Sequence, residues 1–131
     1  ILNTYCLLTT NQHMPSPKDV EINAIDILNC WDETLRTNNR NALGQHLAPD
    51  FAFQMLCQNA MEQTSDEYLD WCTSDESPQI DNIDVHNDSS GICSGVHTAT
   101  MVDGSVFDVI FFGRYGDFRV EHWSVLLSPR A

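Results

Sequence analysis

The run from Ser105 to Phe112, SVFDVIFF, carries one carboxylate, Asp108, inside an otherwise apolar stretch. An ionised carboxylate buried without a partner costs so much free energy that such groups are normally paired, hydrogen-bonded, neutralised or turned toward water. These outcomes differ in chemical meaning, because a carboxyl group held on an apolar surface is equipped for proton transfer. The first question is therefore which residue could be the partner of Asp108.

The sequence offers His97 as that partner. Asp103-Gly104 is a strong signal for a two-residue hairpin turn. A hairpin closed by these two residues places Val102 opposite Ser105 and makes His97 and Asp108 diagonal neighbours on one face of the sheet. Diagonal positions lie roughly 7 Å apart, so an imidazole and a carboxylate can meet there directly or through one water.

His97 and Asp108 together predict general acid–base catalysis, since a carboxylate orients an imidazole in a desolvated site. Alternatively, a protonated Asp108 could donate a hydrogen bond to a developing oxyanion. Both roles require side chains that point into a pocket. A structural pair, or a position on the outer face of the sheet at a dimer contact or in water, explains the same residues without catalysis.

The next hairpin extends this face if the turn at Gly116-Asp117 has two or four residues. The residues that then join His97 and Asp108 are Glu121, Trp123 and Val125, and those on the opposite face are Phe118, Val120 and His122. A three-residue turn or a bulge would exchange the two sets, because a slip of one residue turns every side chain to the other face.

A long helix is predicted ahead of these strands. Ser16-Pro17-Lys18-Asp19 combines a cap residue, a first-turn proline and an early acid, which are typical of a helix start. The helix should end near Thr37-Asn39. Its apolar residues recur at three- and four-residue spacing and form one stripe toward a core: Val20, Ala24, Ile27, Leu28, Trp31 and Leu35.

Shorter elements follow. A second helix over residues 41–47 is stopped by Pro49, and Thr64 and Glu67 form a capping box that opens a third helix. Between these two helices, Phe51, Phe53, Met55 and Cys57 alternate as a strand.

The segment from residue 79 onward contains runs rich in Val, Ile, Phe and Thr, separated by turn residues at 87–91, 103–104 and 116–117. This pattern predicts four consecutive antiparallel strands. The fold class is therefore α+β, with a long helix and two shorter ones packed on one face of a curved antiparallel sheet.

This order of elements, with NRNALGQHLAPDFAF at residues 39–53 and YGDFRVEHWSV at residues 115–125, resembles the nuclear transport factor 2-like superfamily. Its members include ketosteroid isomerase, scytalone dehydratase and SnoaL-like polyketide cyclases. The resemblance implies a cone-shaped domain whose long helix closes a bent sheet around a mostly apolar pocket, and dimers through the outer sheet face. We assign residues 16–128 to this single domain and residues 1–15 to an N-terminal extension.

The catalytic residues of the family carry over only in part. Trp31 stands where ketosteroid isomerase has the tyrosine of its oxyanion hole, and Met55 where it has its general-base aspartate. Phe107-Asp108-Val109-Ile110 resembles the strand that bears its protonated aspartate, so Asp108 keeps that counterpart. The residues we expect to contact a substrate are Trp31, Met55, Tyr68, Trp123 and Ile110.

Charge and composition argue against several partners. With 19 acidic and 6 basic side chains the formal net charge is -13, so we expect neither a nucleic acid nor a membrane surface as a partner. The five cysteines lack C-x-x-C spacing and the five histidines are scattered, so we expect no metal site and no cofactor. The compartment stays open between the cytoplasm and the exterior.

The sequence therefore predicts a cofactor-independent isomerase, dehydratase or cyclase that acts on a small apolar metabolite of the polyketide, terpenoid or steroid kind. Asp108 and His97 would be its acid–base pair. The alternative is a noncatalytic ligand-binding or dimerisation module of the same fold. The missing general base favours the module, and the polar pair on an apolar face favours the enzyme.

Overall fold

A computed structural model describes residues 22–56, 62–116 and 119–130. Its elements in chain order are α1 (Ala24–Thr37), α2 (Arg40–Gly44), β1 (Leu47–Met55), β2 (Glu62–Thr64), α3 (Ser65–Cys72), β3 (Gln79–Ser89), β4 (Ile92–Thr100), β5 (Val106–Tyr115) and β6 (Val120–Pro129). None of the helices in these ranges is long and apolar enough to cross a membrane.

The strands form one sheet in the order β2-β1-β6-β5-β4-β3. All neighbours are antiparallel except β1 and β6, which run parallel. The predicted α+β class and the four-strand meander are confirmed. The parallel pair was not predicted, because it depends on long-range pairing rather than on local pattern. The strand β2 was not predicted either, since its three residues are too few to show an alternating pattern.

The long helix begins later than predicted. Asn23 is the N-cap of α1, and its side chain accepts a hydrogen bond from the backbone N–H of Asp26 at 3.0 Å. The Asp88 carboxylate accepts from the N–H of Ala24, also at 3.0 Å. The start predicted at residues 16–19 is therefore not that of this helix, and those residues lie outside the described ranges. The predicted end is confirmed, since Asn38 is the left-handed C-cap, with φ 62°.

The shorter helices follow local signals. The capping box of α3 is complete: Thr64 Oγ1 accepts from the N–H of Glu67, and Glu67 Oε1 accepts from the N–H of Thr64. Helix α2 ends at Gly44 rather than near residue 47, and Pro49 lies inside strand β1 instead of stopping a helix. Strand β1 ends at Met55, and Cys57 lies outside the described ranges.

The hairpin between β4 and β5 is one residue longer than predicted. Met101 donates its N–H to the carbonyl of Ser105 at 2.8 Å, so the loop has three residues and ends in Gly104 at φ 89°. Three-residue hairpin loops commonly end in such a left-handed glycine. Asp108 consequently lies opposite Thr98 and not Ala99. The predicted register is wrong by one residue, and the one-residue slip puts Asp108 on the face away from His97.

The pairing of β5 with β6 also contains an irregularity. Arg114 pairs with His122 while Tyr115 pairs with Val120, so Glu121 is an extra residue in β6. Val120 is thereby buried on the same side as Trp123, against the prediction. Glu121 instead forms an ion pair with Arg114. Phe118 lies outside the described ranges.

The two faces of the sheet differ in composition. We call the face that packs against α1 and α3 the inner face, and its strands contribute His97, Val109, Phe111, Trp123 and Val125. We call the other the outer face, which carries Asp108, Ile110, Phe112 and Leu126. The predicted placement of Trp123 and Val125 on the face of His97 is confirmed.

Aromatic rings fill the inner face. Phe111 and Trp123 stack with their ring centroids 5.2 Å apart, and Trp31 of α1 meets Trp123 edge-on at the same distance. A Cβ atom at Gly113 would lie 2.3 Å from the Trp123 ring. Glycine is therefore what allows the indole to lie against the sheet.

Candidate functional site

A cavity of about 60 Å³ lies between α1, α3 and the inner face of the sheet. Its lining is almost entirely apolar and consists of Trp31, Leu35, Phe53, Met55, Tyr68, Trp71, Pro78, Ile80, His97, Ala99, Met101, Val109, Val125 and Leu127. Of these, Met55, Trp71, Met101 and Leu127 remain partly exposed, and we call the part of the cavity that they line its mouth.

The aromatic wall of the cavity is tightly packed. Tyr68 stacks on Phe53 with the ring centroids 4.1 Å apart, and Trp31 meets Tyr68 edge-on at 5.4 Å. Such contacts add to the free energy of burial and restrict the rings to one arrangement. This side of the cavity is therefore preorganised, whereas the flexible Met55 and Met101 lie at the mouth.

His97 brings a polar group to this lining. Its side chain is only 6% exposed and stacks on Phe111 at 5.8 Å. Nδ1 lies 3.0 Å from the carbonyl oxygen of Thr98. Since a carbonyl only accepts hydrogen bonds, Nδ1 must carry the proton.

Burial lowers the pKa of His97, and the hydrogen bond to Thr98 only partly opposes that effect. The imidazole is therefore neutral at neutral pH. Nε2 then has a free lone pair, and no hydrogen bond reaches this nitrogen within the described part of the chain. Among the described residues that line the cavity, His97 is the one whose side chain could take up a proton.

Asp108 is not part of this cavity. It lies on the outer face with its side chain 50% exposed, and Arg130 Nη2 donates to its carboxylate at 2.6 Å. Ile110, predicted to contact a substrate, lies on the same outer face and is 53% exposed. The three-residue loop at the β4–β5 hairpin is the physical reason for both corrections. The structure does not bring the predicted His97–Asp108 pair together.

The other predicted contact residues lie in the walls of two neighbouring cavities. Trp31, Met55 and Tyr68 line the cavity. Trp123 lines a second cavity of about 10 Å³. Trp31 and Tyr68 line both cavities.

The Tyr68 hydroxyl is not a second base. It is buried, it lacks a well-formed hydrogen bond within the described ranges, and the Cys72 thiol is its polar neighbour. Burial, and secondarily Cys72, raises the pKa of Tyr68 well above its ordinary value. Burial also raises the pKa of Cys72 to about 12. Both groups keep their protons at neutral pH.

Sequence reasoning missed part of the lining. Pro78, Ile80 and Met101 reach the cavity from the ends of β3 and β4. Alternation of apolar residues could have placed Ile80, but only after its register with β4 was known. No group of three or more histidine, cysteine or acidic residues in the described ranges could hold a metal ion.

Comparison with known proteins identifies the fold. Neither a protein-family model nor a curated protein matches the sequence. A candidate ketosteroid isomerase from Kribbella flavida gives a TM-score of 0.66 at 14% identity, covering 80% of this chain and 77% of that one. A protein of unknown function from Cytophaga hutchinsonii, described as nuclear transport factor 2-like, gives 0.66 at 12%, covering 79% and 88%. A candidate isomerase from Rhodopseudomonas palustris gives 0.59 at 10%, covering 79% and 87%.

These similarities confirm the resemblance seen in the sequence at the level of the fold. The chain has the nuclear transport factor 2-like fold. Identities this low carry no information about the reaction or the ligand of this particular chain.

Proposed function

We propose that this domain binds a small, uncharged, mostly apolar molecule in the cavity between α1, α3 and the inner sheet face. The observation that carries the proposal is the lining itself, in which His97 lies among apolar and aromatic side chains and its Nε2 has no hydrogen-bond partner among the described residues. Small-molecule sites typically combine an apolar surface with a few polar groups that orient the ligand.

The size of the cavity limits the ligand. Its volume of about 60 Å³ is well below the roughly 150 Å³ of an apolar cavity that holds benzene. A ring compound would therefore extend into the mouth and displace the side chains of Met55 or Met101. A steroid-sized ligand would require much larger rearrangements, which favours a smaller compound.

Charge favours a neutral ligand. The net charge of -13 repels anions from the whole protein. A cation buried in the cavity would need a counterion, and no carboxylate lines it within the described ranges. We therefore infer an uncharged ligand.

A second candidate function is proton transfer with His97 as the base. The neutral, desolvated imidazole with a free lone pair is the observation that favours it. An isomerisation needs only one group that removes a proton and returns it elsewhere. Dehydration and cyclisation would need a second acid or base, and the acid expected from the sequence lies on the outer face.

One experiment distinguishes three cases: the cavity binds a ligand without reaction, it binds and converts a ligand, or it binds none. A panel of small apolar alcohols, ketones and arenes is titrated into the protein while the NMR signals of the lining residues are followed. We expect saturable shifts for some of these compounds, weaker binding to His97→Leu, and unchanged binding to Asp108→Asn, which serves as the matched control. Loss of affinity in Asp108→Asn, or no saturable shift with any compound, would overturn the binding proposal. Turnover of a bound ketone that disappears in His97→Leu would establish the second candidate.

We further propose that the outer face pairs with a second copy of the chain. Ile110 lies directly between Val96 and Leu126 in a row across three strands, and Phe112 lies beside this row. Ile110, Phe112 and Leu126 are 53%, 46% and 44% exposed. A contiguous apolar patch of this kind is typical of an interaction surface.

The charges next to this patch are compatible with a second copy of the same acidic chain as the partner. Arg114 and Arg130, two of the six basic side chains of the protein, pair with Glu121 and Asp108 beside this patch. The patch is therefore locally balanced, although the whole chain is strongly acidic. Analytical ultracentrifugation should show a dimer that dissociates in Ile110→Glu but persists in Val102→Glu, whose residue is exposed in a loop. A monomeric wild-type protein at high concentration would rule out the dimer.

A further inference from the structure

We propose, on the basis of the cavity as the binding site, that it selects ligands carrying a neutral hydroxyl group, and that Asn82 is the positioning residue for this selection. Asn82 lies on β3 and acts on His97 through Thr98. The inference rests on a β-bulge, a side-chain network and the tautomer that the network supports.

The bulge lies directly opposite His97. Asp81 pairs with Thr98, and the next pair is Asp84 with Val96, so two residues of β3 face the single residue His97. One of the two, Asn82, has a left-handed backbone with φ 58°. Asparagine adopts this conformation more readily than most residues. Bulges of this kind occur preferentially beside functional sites, where they redirect side chains.

The bulged asparagine is tied to the neighbour of His97. Asn82 Nδ2 donates to Thr98 Oγ1 at 3.1 Å, and Thr98 Oγ1 donates to the carbonyl of Asp81 at 3.1 Å. The other neighbour of β4, strand β5, keeps a regular register here. Thr98 is thus held between a regular strand and the bulge.

This arrangement fixes the acceptor for His97. The carbonyl oxygen of Thr98 accepts from His97 Nδ1 at 3.0 Å, so the second nitrogen must be the unprotonated one. Asn82 and the Asp81 carbonyl hold the Thr98 hydroxyl, and the regular pairing with β5 holds the Thr98 backbone. A residue fixed in this way presents its carbonyl in one direction, which keeps the His97 ring in one orientation and one tautomer. The group offered to a ligand is consequently an acceptor, Nε2.

An acceptor of this kind discriminates between ligands of similar shape. A ligand hydroxyl can donate a hydrogen bond to Nε2, whereas a methyl group leaves this nitrogen without a partner. A ligand carbonyl is disfavoured as well, because its oxygen and Nε2 are both acceptors and their lone pairs repel. When a bound ligand covers Nε2, leaving this nitrogen without a hydrogen bond is disfavoured relative to pairing it. An alcohol or phenol is therefore the ligand class that matches the cavity.

Phenol and toluene, which differ by a hydroxyl in place of a methyl group, test this selection. Their dissociation constants are measured by NMR titration for the wild-type protein and for His97→Leu, so that the different hydration of the two probes cancels in the comparison. We expect the preference for phenol over toluene to be roughly 2- to 12-fold greater in the wild type. An equal preference in the two proteins would overturn the selection.

The role of Asn82 is tested without a ligand. Long-range ¹H–¹⁵N spectra report which nitrogen of His97 carries the proton, and we expect Nδ1 in the wild-type protein. Asn82→Gly tolerates the left-handed backbone but removes the amide, and we expect it to populate the second tautomer. The matched control is Asn87→Gly, whose residue is exposed on the same strand and should leave the tautomer unchanged.

Thr98→Val provides a second route, since it removes the hydroxyl that Asn82 contacts, while Thr98→Ser should retain the wild-type tautomer. A protonated Nε2 in the wild type, or one tautomer in all these variants, would overturn the positioning role. Because this measurement needs no ligand, its failure is distinct from a failure of the cavity to bind any compound.

Discussion

His97 and Asp108 lie on neighbouring strands, one residue apart in register, and they meet opposite surroundings. His97 faces the inner side, where helices and aromatic rings remove it from water and burial lowers its pKa. Asp108 faces the outer side, half exposed and paired with Arg130. Polar residues that are adjacent on neighbouring strands therefore need not form one site.

The same contrast extends to the two faces as a whole. The inner face is covered by α1 and α3, and its rings pack edge-on and face-to-face. The outer face leaves large apolar residues partly exposed. Two side chains of the same type should therefore stabilise the fold more on the inner face than on the outer face.

The largest expected effect comes from two adjacent phenylalanines. Phe111 is fully buried on the inner face, and Phe112 is 46% exposed on the outer face. We expect Phe111→Ala to lower the free energy of unfolding by about 3–5 kcal/mol because it leaves a cavity. Phe112→Ala should cost only about 1 kcal/mol, in proportion to the area it buries.

Urea denaturation at low protein concentration measures both values. Equal losses would break the contrast between the faces. A cost of Phe112→Ala that grows with protein concentration would sharpen it, since that result would locate the dimer contact on the outer face.

The second effect concerns two glycines. An alanine Cβ at position 113 would lie 2.3 Å from the Trp123 ring, which is stacked on Phe111 and has little room to move. We expect Gly113→Ala to destabilise the fold by about 1–3 kcal/mol through overpacking.

Gly116→Ala is the matched control, because its Cβ would approach only the end of the flexible Glu121 side chain, at 3.4 Å. It should be neutral or stabilise by up to about 1 kcal/mol, since alanine restricts the unfolded chain. The tryptophan fluorescence spectrum, to which Trp123 contributes, should change only in Gly113→Ala. An unaltered spectrum and stability for that variant would mean that the ring is free to shift.

The third effect is a pH dependence. The pKa of His97 is lowered in the folded state, so the unfolded chain takes up a proton more readily. Stability should therefore fall as the pH decreases below about 6.5, the ordinary histidine value. The pKa of His46 is also lowered by burial, and its contribution has the same sign.

Unfolding free energies measured between pH 8 and pH 5 should show a shallower slope in His97→Gln than in the wild type, and the double variant with His46→Gln should be shallower still. If His97→Gln retained the full wild-type slope, His97 would be in water and not in the cavity. Ligand binding should weaken over the same range, because a protonated Nε2 no longer accepts a hydrogen bond.

The smallest effect is expected at Asp108. Its ion pair with Arg130 is about half exposed, so Asp108→Asn should cost between about 0 and 1 kcal/mol. Any such cost should shrink at high salt. Arg130→Gln and the double variant complete a cycle that isolates the pair. A loss of several kcal/mol would place Asp108 in a buried environment and contradict the comparison.

Local signals predicted several elements correctly. The capping box at Thr64 and Glu67 has all its partners within four residues, so the start of α3 could be predicted from the sequence. The long helix began late because Asn23 is itself a cap, reinforced by Asp88 from a distant strand. A tertiary hydrogen bond of that kind leaves no trace in a local pattern.

The sequence predicted the face of several single residues of the site but not which of them lie together. Helical spacing placed Trp31 toward the core, and alternation along β6 placed Trp123 and Val125 on one face. The pairing of His97 with Asp108 failed because it depended on whether the hairpin loop had two residues or three. Both loop lengths are compatible with Asp103-Gly104.

Local sequence patterns were sufficient to predict an α+β domain whose strands carry His97 and Asp108. The hairpin register in the folded protein places His97 in the lining of the cavity and Asp108 on the outer face. The physical reason is the two-residue period of a strand, which lets one extra loop residue reverse every side chain beyond it. The acid in SVFDVIFF is thus explained by its outward position and by Arg130, and not by the histidine across the hairpin.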